Sequence, residues 1–284
     1  MGLSGSKILR TQLVLLAPST LEDSGAFDNV LIDNRRHEEL LADMQCFRGR
    51  IYLSDNAIRP DELTADGRHA MRIDDESWHI LSIDGGGRVC ACLRYHDESG
   101  AAGFEDLYLR HSTPARCAKL GSQFRTAVTR EMERARRIGL GFGEMGGWAV
   151  GEERRLTLEP LRLVLATCAL LQLLGGCAGV ATASFRHHSS TILRRIGLTS
   201  LLLNGAALPP YYDPYYRCDM EVLRFDSRYP NPRYSDWIHS LRMSLPAAPV
   251  ICRSAGQPAP GKVWVRETPR PVFPHGPELL PVAV

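Results

Sequence analysis

A strand, a charged loop, a long apolar helix and a second strand follow one another between Phe142 and Ser184, and this run constrains the fold more than any other part of the chain. Phe142–Val150 reads as the first strand, Gly151–Thr157 as the loop, Leu158–Leu174 as the helix and Cys177–Ser184 as the second strand. A strand that returns through a helix to a parallel neighbour makes a right-handed crossover. The first turn of such a helix, just past the end of the strand, is where anionic ligands are commonly held. A short basic helix over His187–Ile196 and the segment Pro209–Tyr216 then lead to a last strand, Asp219–Phe225. The expectation is an α/β fold: a mixed, strongly twisted sheet with helices on both faces.

Upstream, Leu40, Leu41, Met44 and Phe47 recur at helical spacing within Arg36–Phe47, and a turn-rich polar segment covers Ser54–Arg72. Trp78–Ile83 and Arg88–Tyr95 read as strands joined by Asp84-Gly85-Gly86-Gly87. With strands on both sides and no helix after it, that glycine run is a hairpin turn and not a phosphate loop. Ser112-Thr113-Pro114 opens one helix, whose Leu120, Phe124, Val128 and Met132 form a buried stripe at intervals of four. Residues 1–35 show weak patterning and are given no function. Eleven of the eighteen prolines lie beyond Tyr229, so the chain after 228 is expected to be mostly irregular. This divides the chain into an N-terminal extension (1–35), a main domain (36–228) and a proline-rich tail (229–284).

A net charge of +2 with 44% hydrophobic and 23% charged residues is ordinary for a soluble protein and names no partner. Charge is uneven, however: seven arginines and one lysine lie between Arg110 and Arg137, against Glu131 and Glu133. That helix is either a solvated face or a docking surface for an acidic partner. No aromatic residues are interleaved with its charges as a nucleic-acid surface would require, so nucleic acid is not expected as a partner. Eight scattered cysteines without a C-x-x-C pair fit a reducing compartment. No targeting segment and no integral membrane segment is read, and the expected location is cytoplasmic.

Chemistry is expected first at Glu144-Met145-Gly146-Gly147-Trp148-Ala149-Val150. In a regular strand Glu144, Gly146, Trp148 and Val150 share one face. A carboxylate beside an indole is desolvated, and its pKa rises towards that of a general base. Two adjacent glycines in a strand fit a bulge, a close approach to the backbone, or simple easing of packing. Adjacent His187 and His188 point in different directions and make poor joint ligands, so no metal is expected. No G-x-S-x-G elbow is present, and a hydrolase triad is not supported.

The order of elements and these residues resemble the GNAT-type N-acyltransferases. Within that superfamily the chain is most similar to the bacterial long-chain N-acyl amino acid synthases and the acyl-homoserine lactone synthases. The lactone synthases carry Glu-x-Ser-Arg-aromatic on the corresponding strand. Here Glu144 and the aromatic Trp148 match, while the Ser and Arg are replaced, which speaks against lactone formation from S-adenosylmethionine. An N-terminal Arg-x-x-x-aromatic motif corresponds to Arg48–Tyr52, and the recurrent arginine after the first hairpin corresponds to Arg94. The resemblance covers roughly Arg36–Ser227. It implies that the strands Phe142–Val150 and Cys177–Ser184 splay apart at their far ends.

The resemblance further implies transfer of a long acyl chain from an acyl-carrier-protein or coenzyme A thioester to a primary amine, expected to be that of an amino acid. No permanently bound cofactor is implied. Glu144 would be the base, and a tyrosine such as Tyr212 or Tyr215 would protonate the departing thiolate. The donor would lie against Gly146, Gly147, Trp148, Ala149, Val150, Arg154, Arg155 and Ser184, and the acceptor against Arg48, Tyr52 and Arg94. The loop Gly151–Thr157 stands where these enzymes cradle the coenzyme A diphosphate, but its glycines are missing. That departure favours a carrier-protein donor, which the basic helix Arg110–Arg137 would recruit. The rival readings are an ordinary acetyl-coenzyme A-dependent N-acetyltransferase and a catalytically silent binding domain.

Overall fold

The computed structural model describes residues 11–19 and 25–254. In chain order the first elements are β1 (Thr11–Leu16), β2 (Val30–Ile32), α1 (Asn34–Ser54), β3 (Ser77–Asp84) and β4 (Val89–Asp97). Next come α2 (Thr113–Arg116), α3 (Gly121–Arg137), β5 (Gly141–Val150), α4 (Glu159–Leu173), β6 (Cys177–Ser184) and α5 (Ser189–Arg195). Short strands β7 (Thr199–Ser200), β8 (Leu202–Leu203), β9 (Ala206–Ala207) and β10 (Tyr211–Asp213) precede β11 (Cys218–Asp226), α6 (Ser235–Ser244) and β12 (Val250–Cys252).

The main sheet runs in the order β10-β11-β6-β5-β4-β3-β1-β12-β2, with β7 added against β11. β5 and β6 are parallel, as are β1 with β12 and β12 with β2; the other pairs are antiparallel. One face is covered by α4, backed by α6, through Leu163, Val164, Leu170, Ile238 and Leu241. The other face is covered by α1 beside β1, β3 and β4, and by α3 beside β5, β6 and β11. The expected mixed α/β sheet with helices on both faces is what forms.

Local chemistry explains the element ends that position the site. The Asp33 carboxylate accepts the Arg36 amide at 2.9 Å and starts α1. Pro160 lies in the first turn of α4, and Thr157 Oγ1 accepts the Glu159 amide at 3.1 Å. The middle of α4, Leu163–Leu171, is buried all round because the sheet packs against one side and α6 against the other.

Several elements differ from the sequence expectation. The helix from Asn34 continues to Ser54, so Arg48 and Tyr52 stand on one helix. The single helix expected from Ser112 is two, α2 and α3, because the chain turns at Cys117–Leu120. Gly121 lets the Ala115 carbonyl approach: a Cβ there would lie 2.8 Å from it. Strand β1 sits inside the sheet between β3 and β12, and β12 and α6 come from the proline-rich stretch. The sheet and its core therefore extend past both expected boundaries, at 36 and at 228. The remaining tail, 255–284, lies outside the described residues, as do 1–10 and 20–24.

A candidate functional site between two splayed strands

Strands β5 and β6 pair from Gly141 with Cys177 to Met145 with Ala181, and the ladder stops there. At the closed end Gly143 and Gly179 face each other so tightly that a Cβ on Gly179 would lie 1.9 Å from the Gly143 carbonyl oxygen. Beyond Met145, β5 stays with β4 while Thr182–Ser184 stay with β11. The strands part, and a cleft of about 410 Å³ opens between them. Its walls include Gly146–Val150 from β5, Thr182 and Ser184 from β6, Ile192 from α5, Ile51 and Tyr52 from α1, and Arg155, Leu156 and Pro160. The β6-facing edge of β5 has no strand partner along this stretch, so its amides face the cleft.

Gly147 makes a bulge. Two residues, Gly147 and Trp148, oppose the single Leu93 of β4, and Gly147 has φ +61°. A bulge reverses the alternation of side chains beyond it. Val150 and Trp148 therefore pack on the α4 side with Met145, and Ala149 packs on the α1 side with Cys92. The shared face expected for Glu144, Trp148 and Val150 does not form, so the indole is not what desolvates Glu144. The glycine pair also makes room for buried arginines. A Cβ on Gly146 would lie 3.2 Å from Arg94 Nη2, and one on Gly147 would lie 3.2 Å from Arg48 Nη1.

Behind the bulge is a recess of about 50 Å³, continuous with the cleft through Tyr52, Gly146, Gly147, Thr182, Tyr216 and Met220. Glu144 lines it and is buried, with Oε1 3.9 Å from Arg94 Nη2. Arg94 in turn lies 3.5 Å from Asp74 Oδ1, and its guanidinium stacks over Tyr108 at 5.8 Å. Asp74 grips Arg48 in a two-pronged pair of 3.1 and 2.6 Å. Burial pushes the Asp74 carboxyl up, but the Arg48 guanidinium outweighs it and holds the group well below the usual carboxylate range. Glu98, whose amide donates to the Phe142 carbonyl at 2.9 Å, is another buried carboxylate. Burial first and the Glu144 charge next push its pKa up to about 8.

The expected residues divide as follows. Glu144, Arg94 and Tyr52 come together at the recess; Gly146–Val150, Arg155 and Ser184 line the cleft. Arg48 is fully buried, committed to Asp74 and the His69 carbonyl, and lines neither space; it supports the bulge from behind. Arg154 is buried beside Glu153 and does not line the cleft. Tyr212 points to solvent because the strand alternation turns Tyr211 and Asp213 inward, and Tyr215, in the turn that follows, lines neither space. Tyr211 and Tyr216 occupy the position expected for Tyr212 and Tyr215. Strand parity over Tyr211–Asp213 was the signal that could have separated them.

The arginines of α3 are placed differently from the docking expectation. Arg134 pairs with Glu131 at 2.8 Å and with Asp226 at 3.2 Å, and Asp226 lies opposite Ala178 at the closed end of the strand pair. Arg125 pairs with Glu105, and Arg224 also reaches Glu131. The C-terminal half of this basic helix is thus partly neutralised and stands at the end of the sheet away from the cleft. His187 and His188 line the cleft mouth instead. Among the described residues no group of three His, Cys, Asp or Glu could hold a metal, and no helix is long and apolar enough to cross a membrane.

No family model matches the chain, and no curated protein matches it. Among solved structures it is similar to the coenzyme A-dependent acyl-homoserine lactone synthase BjaI, bound to SAM and isopentyl-CoA. The identity is 14% over 87% of this chain and 95% of that one, with a TM-score of 0.49. It is also similar to FeeM, an N-acyl amino acid synthase from uncultured soil microbes, at 11% identity over 79% and 94% of the two chains and a TM-score of 0.49. An agmatine N-acetyltransferase is similar at 13% over 76% and 99%, with a TM-score of 0.45.

Proposed function

We propose that this protein is an N-acyltransferase that moves an acyl chain from a pantetheine thioester to the primary amine of an amino acid. The observation that carries this reading is the end of the β5–β6 ladder at Met145, which opens a cleft with Glu144 at its inner end. The pantetheine arm lies along the free edge of β5, whose amides take its amide groups and polarise the thioester carbonyl. The acyl chain runs over Trp148–Val150, Pro160 and Ile192, since the 50 Å³ recess accommodates a water or an ammonium head but no chain.

An amino acid carries its ammonium and carboxylate one carbon apart, and the 3.9 Å juxtaposition of Glu144 with Arg94 suits that pair. Glu144, directly or through a water, takes one proton from the ammonium. The freed nitrogen attacks the thioester carbon, and the C–S bond breaks as the amide forms. The nitrogen's second proton replaces the one that Tyr216 gives to the leaving thiolate. With Arg48 engaged by Asp74, Arg94 alone is assigned to the acceptor carboxylate.

The donor we favour is an acyl carrier protein, because the loop Gly151–Thr157 lacks the bare-backbone cradle for a diphosphate. The test is thiol release and mass analysis of product, with carrier-bound and coenzyme A thioesters of several chain lengths offered against a set of amino acids. An N-acyl amino acid formed faster from the carrier thioester supports the reading. Preference for acetyl-coenzyme A would replace it with an N-acetyltransferase, and no amide from any pair would exclude acyl transfer.

A further inference from the structure

The two sides of the cleft mouth differ in how their charges are paired. On the α4 side, where a phosphate would meet a helix N-terminus, the protein's own carboxylates are already in place. Glu159 is the first residue of α4; it is buried and tied through its two oxygens to Ser82 Oγ and Thr11 Oγ1. Glu153 folds back over Gly151, with its oxygens 2.7 and 2.9 Å from where a Cβ would stand. Glu159 pairs with Arg162 at 3.5 Å, Glu153 with Arg154 at 3.6 Å and Asp55 with Arg155 at 2.8 Å, so the cations on this side are already engaged by the protein's own carboxylates. On the β6 side the mouth continues into a hollow of about 520 Å³ lined by Ser54, Asp55, Asn56, Arg186, His187 and Arg217. Asp55, Arg186 and His187 line both the hollow and the cleft.

Arg186 and Arg217 form no ion pair among the described residues. Each is steadied by one bond to a carbonyl: Arg186 Nη2 to Arg217 O at 2.8 Å, and Arg217 Nη2 to Ile58 O at 3.3 Å. The hollow's carboxylate, Asp55, is held by Arg155 in a two-pronged pair of 2.8 and 2.8 Å. Arg217 and His188 both hold left-handed backbone conformations, φ +50° and +59°, which is costly for non-glycine residues.

We propose that Arg186, His187 and Arg217 bind the phosphoryl group of the donor's phosphopantetheine, across the cleft mouth from the N-terminus of α4. This rests on the thioester-donor reading of the cleft. Two guanidinium forks and an imidazole supply charge-assisted donors to the phosphoryl oxygens, and the pantetheine arm then enters the cleft from the β6 side. The same phosphoryl group occurs in carrier proteins and in coenzyme A.

The test is calorimetric binding without turnover, so that it stands apart from the test of acyl transfer. The ligands are 4′-phosphopantetheine, pantetheine and coenzyme A. The phosphorylated arm should bind the parent protein about 10-fold or more tightly than pantetheine, as charge-assisted contacts of this kind allow. The double variant Arg186→Ser/Arg217→Ser should remove that difference and leave pantetheine binding unchanged. Coenzyme A binding no tighter than phosphopantetheine identifies the carrier as the source of the group, and a further gain identifies the nucleotide donor; the site is supported by either. Equal affinities for phosphopantetheine and pantetheine in the parent overturn the proposal. It is also overturned if Glu153→Gln tightens phosphopantetheine while the double variant changes nothing, because the phosphate then sits in the loop.

Discussion

At the scale of single residues, the site is a set of buried charges whose roles differ although their types repeat. Arg48 and Arg94 are both buried, yet Arg48 is consumed by Asp74 while Arg94 also reaches Glu144. The family resemblance singled out both arginines but could not tell a supporting one from one that faces the recess. The tyrosines divide in the same way. Tyr216→Phe should slow thiol release by about 10-fold or more, the low end of the usual effect of a proton donor, while Tyr212→Phe leaves it unchanged; parallel rate measurements on the two variants decide this. Glu98 gives a pH signature. Unfolded, it loses its proton near the ordinary value of 4.5; folded, near about 8. Between these values the folded protein holds the extra proton, so stability falls as pH rises through this window. Melting temperatures at pH 5 and pH 8 should show that fall, and Glu98→Gln, which mimics the neutral acid, should lessen it. An identical pH dependence in the variant would count against the buried carboxylate pair.

At the scale of elements, the β5–α4–β6 run was legible because its apolar helix is too long for a strand and is set off by the charged loop before it and Gly175-Gly176 after it, and its strands lie where the sequence puts them. The bulge was only half legible. The glycine pair announced it, but the reversal of facing beyond Gly147 is a backbone event that alternation alone does not reveal, and this misplaced Trp148 relative to Glu144. Gly147→Ala is expected to cost about 1–3 kcal/mol through its left-handed backbone, with activity lost as the β5 edge shifts. Gly179→Ala should be more severe, because the new methyl would meet backbone that cannot turn away, and the closed end of the strand pair would be forced open. Urea unfolding of both variants measures the two costs. A Gly179→Ala protein as stable as the parent would mean that the strands do not meet so closely.

At the scale of the whole molecule, the ends of the described chain complete the sheet that holds the cleft. β1 and β12 were illegible because short apolar strands in the middle of a sheet show no alternation. α6 was obscured by a proline count that belongs to its neighbours. Trp237, Ile238, Leu241 and Leu245 carry a helical pattern that packs on α4. Ile238→Asp should therefore destabilise the molecule by about 3 kcal/mol or more, the cost of an unpaired charge in a core; an unchanged denaturation midpoint would make α6 an appendage. The central claim is that Glu144, at the inner end of the cleft, removes the proton of an amine that then takes the acyl group. Its most direct test is the steady-state formation of N-acyl amino acid, followed by mass spectrometry, for the parent and for Glu144→Gln of matched melting temperature. The expected result is amide formation by the parent and a loss of about 10²-fold or more in kcat for the variant. Equal rates in the two proteins, or thioester consumed with no amide formed, would contradict it.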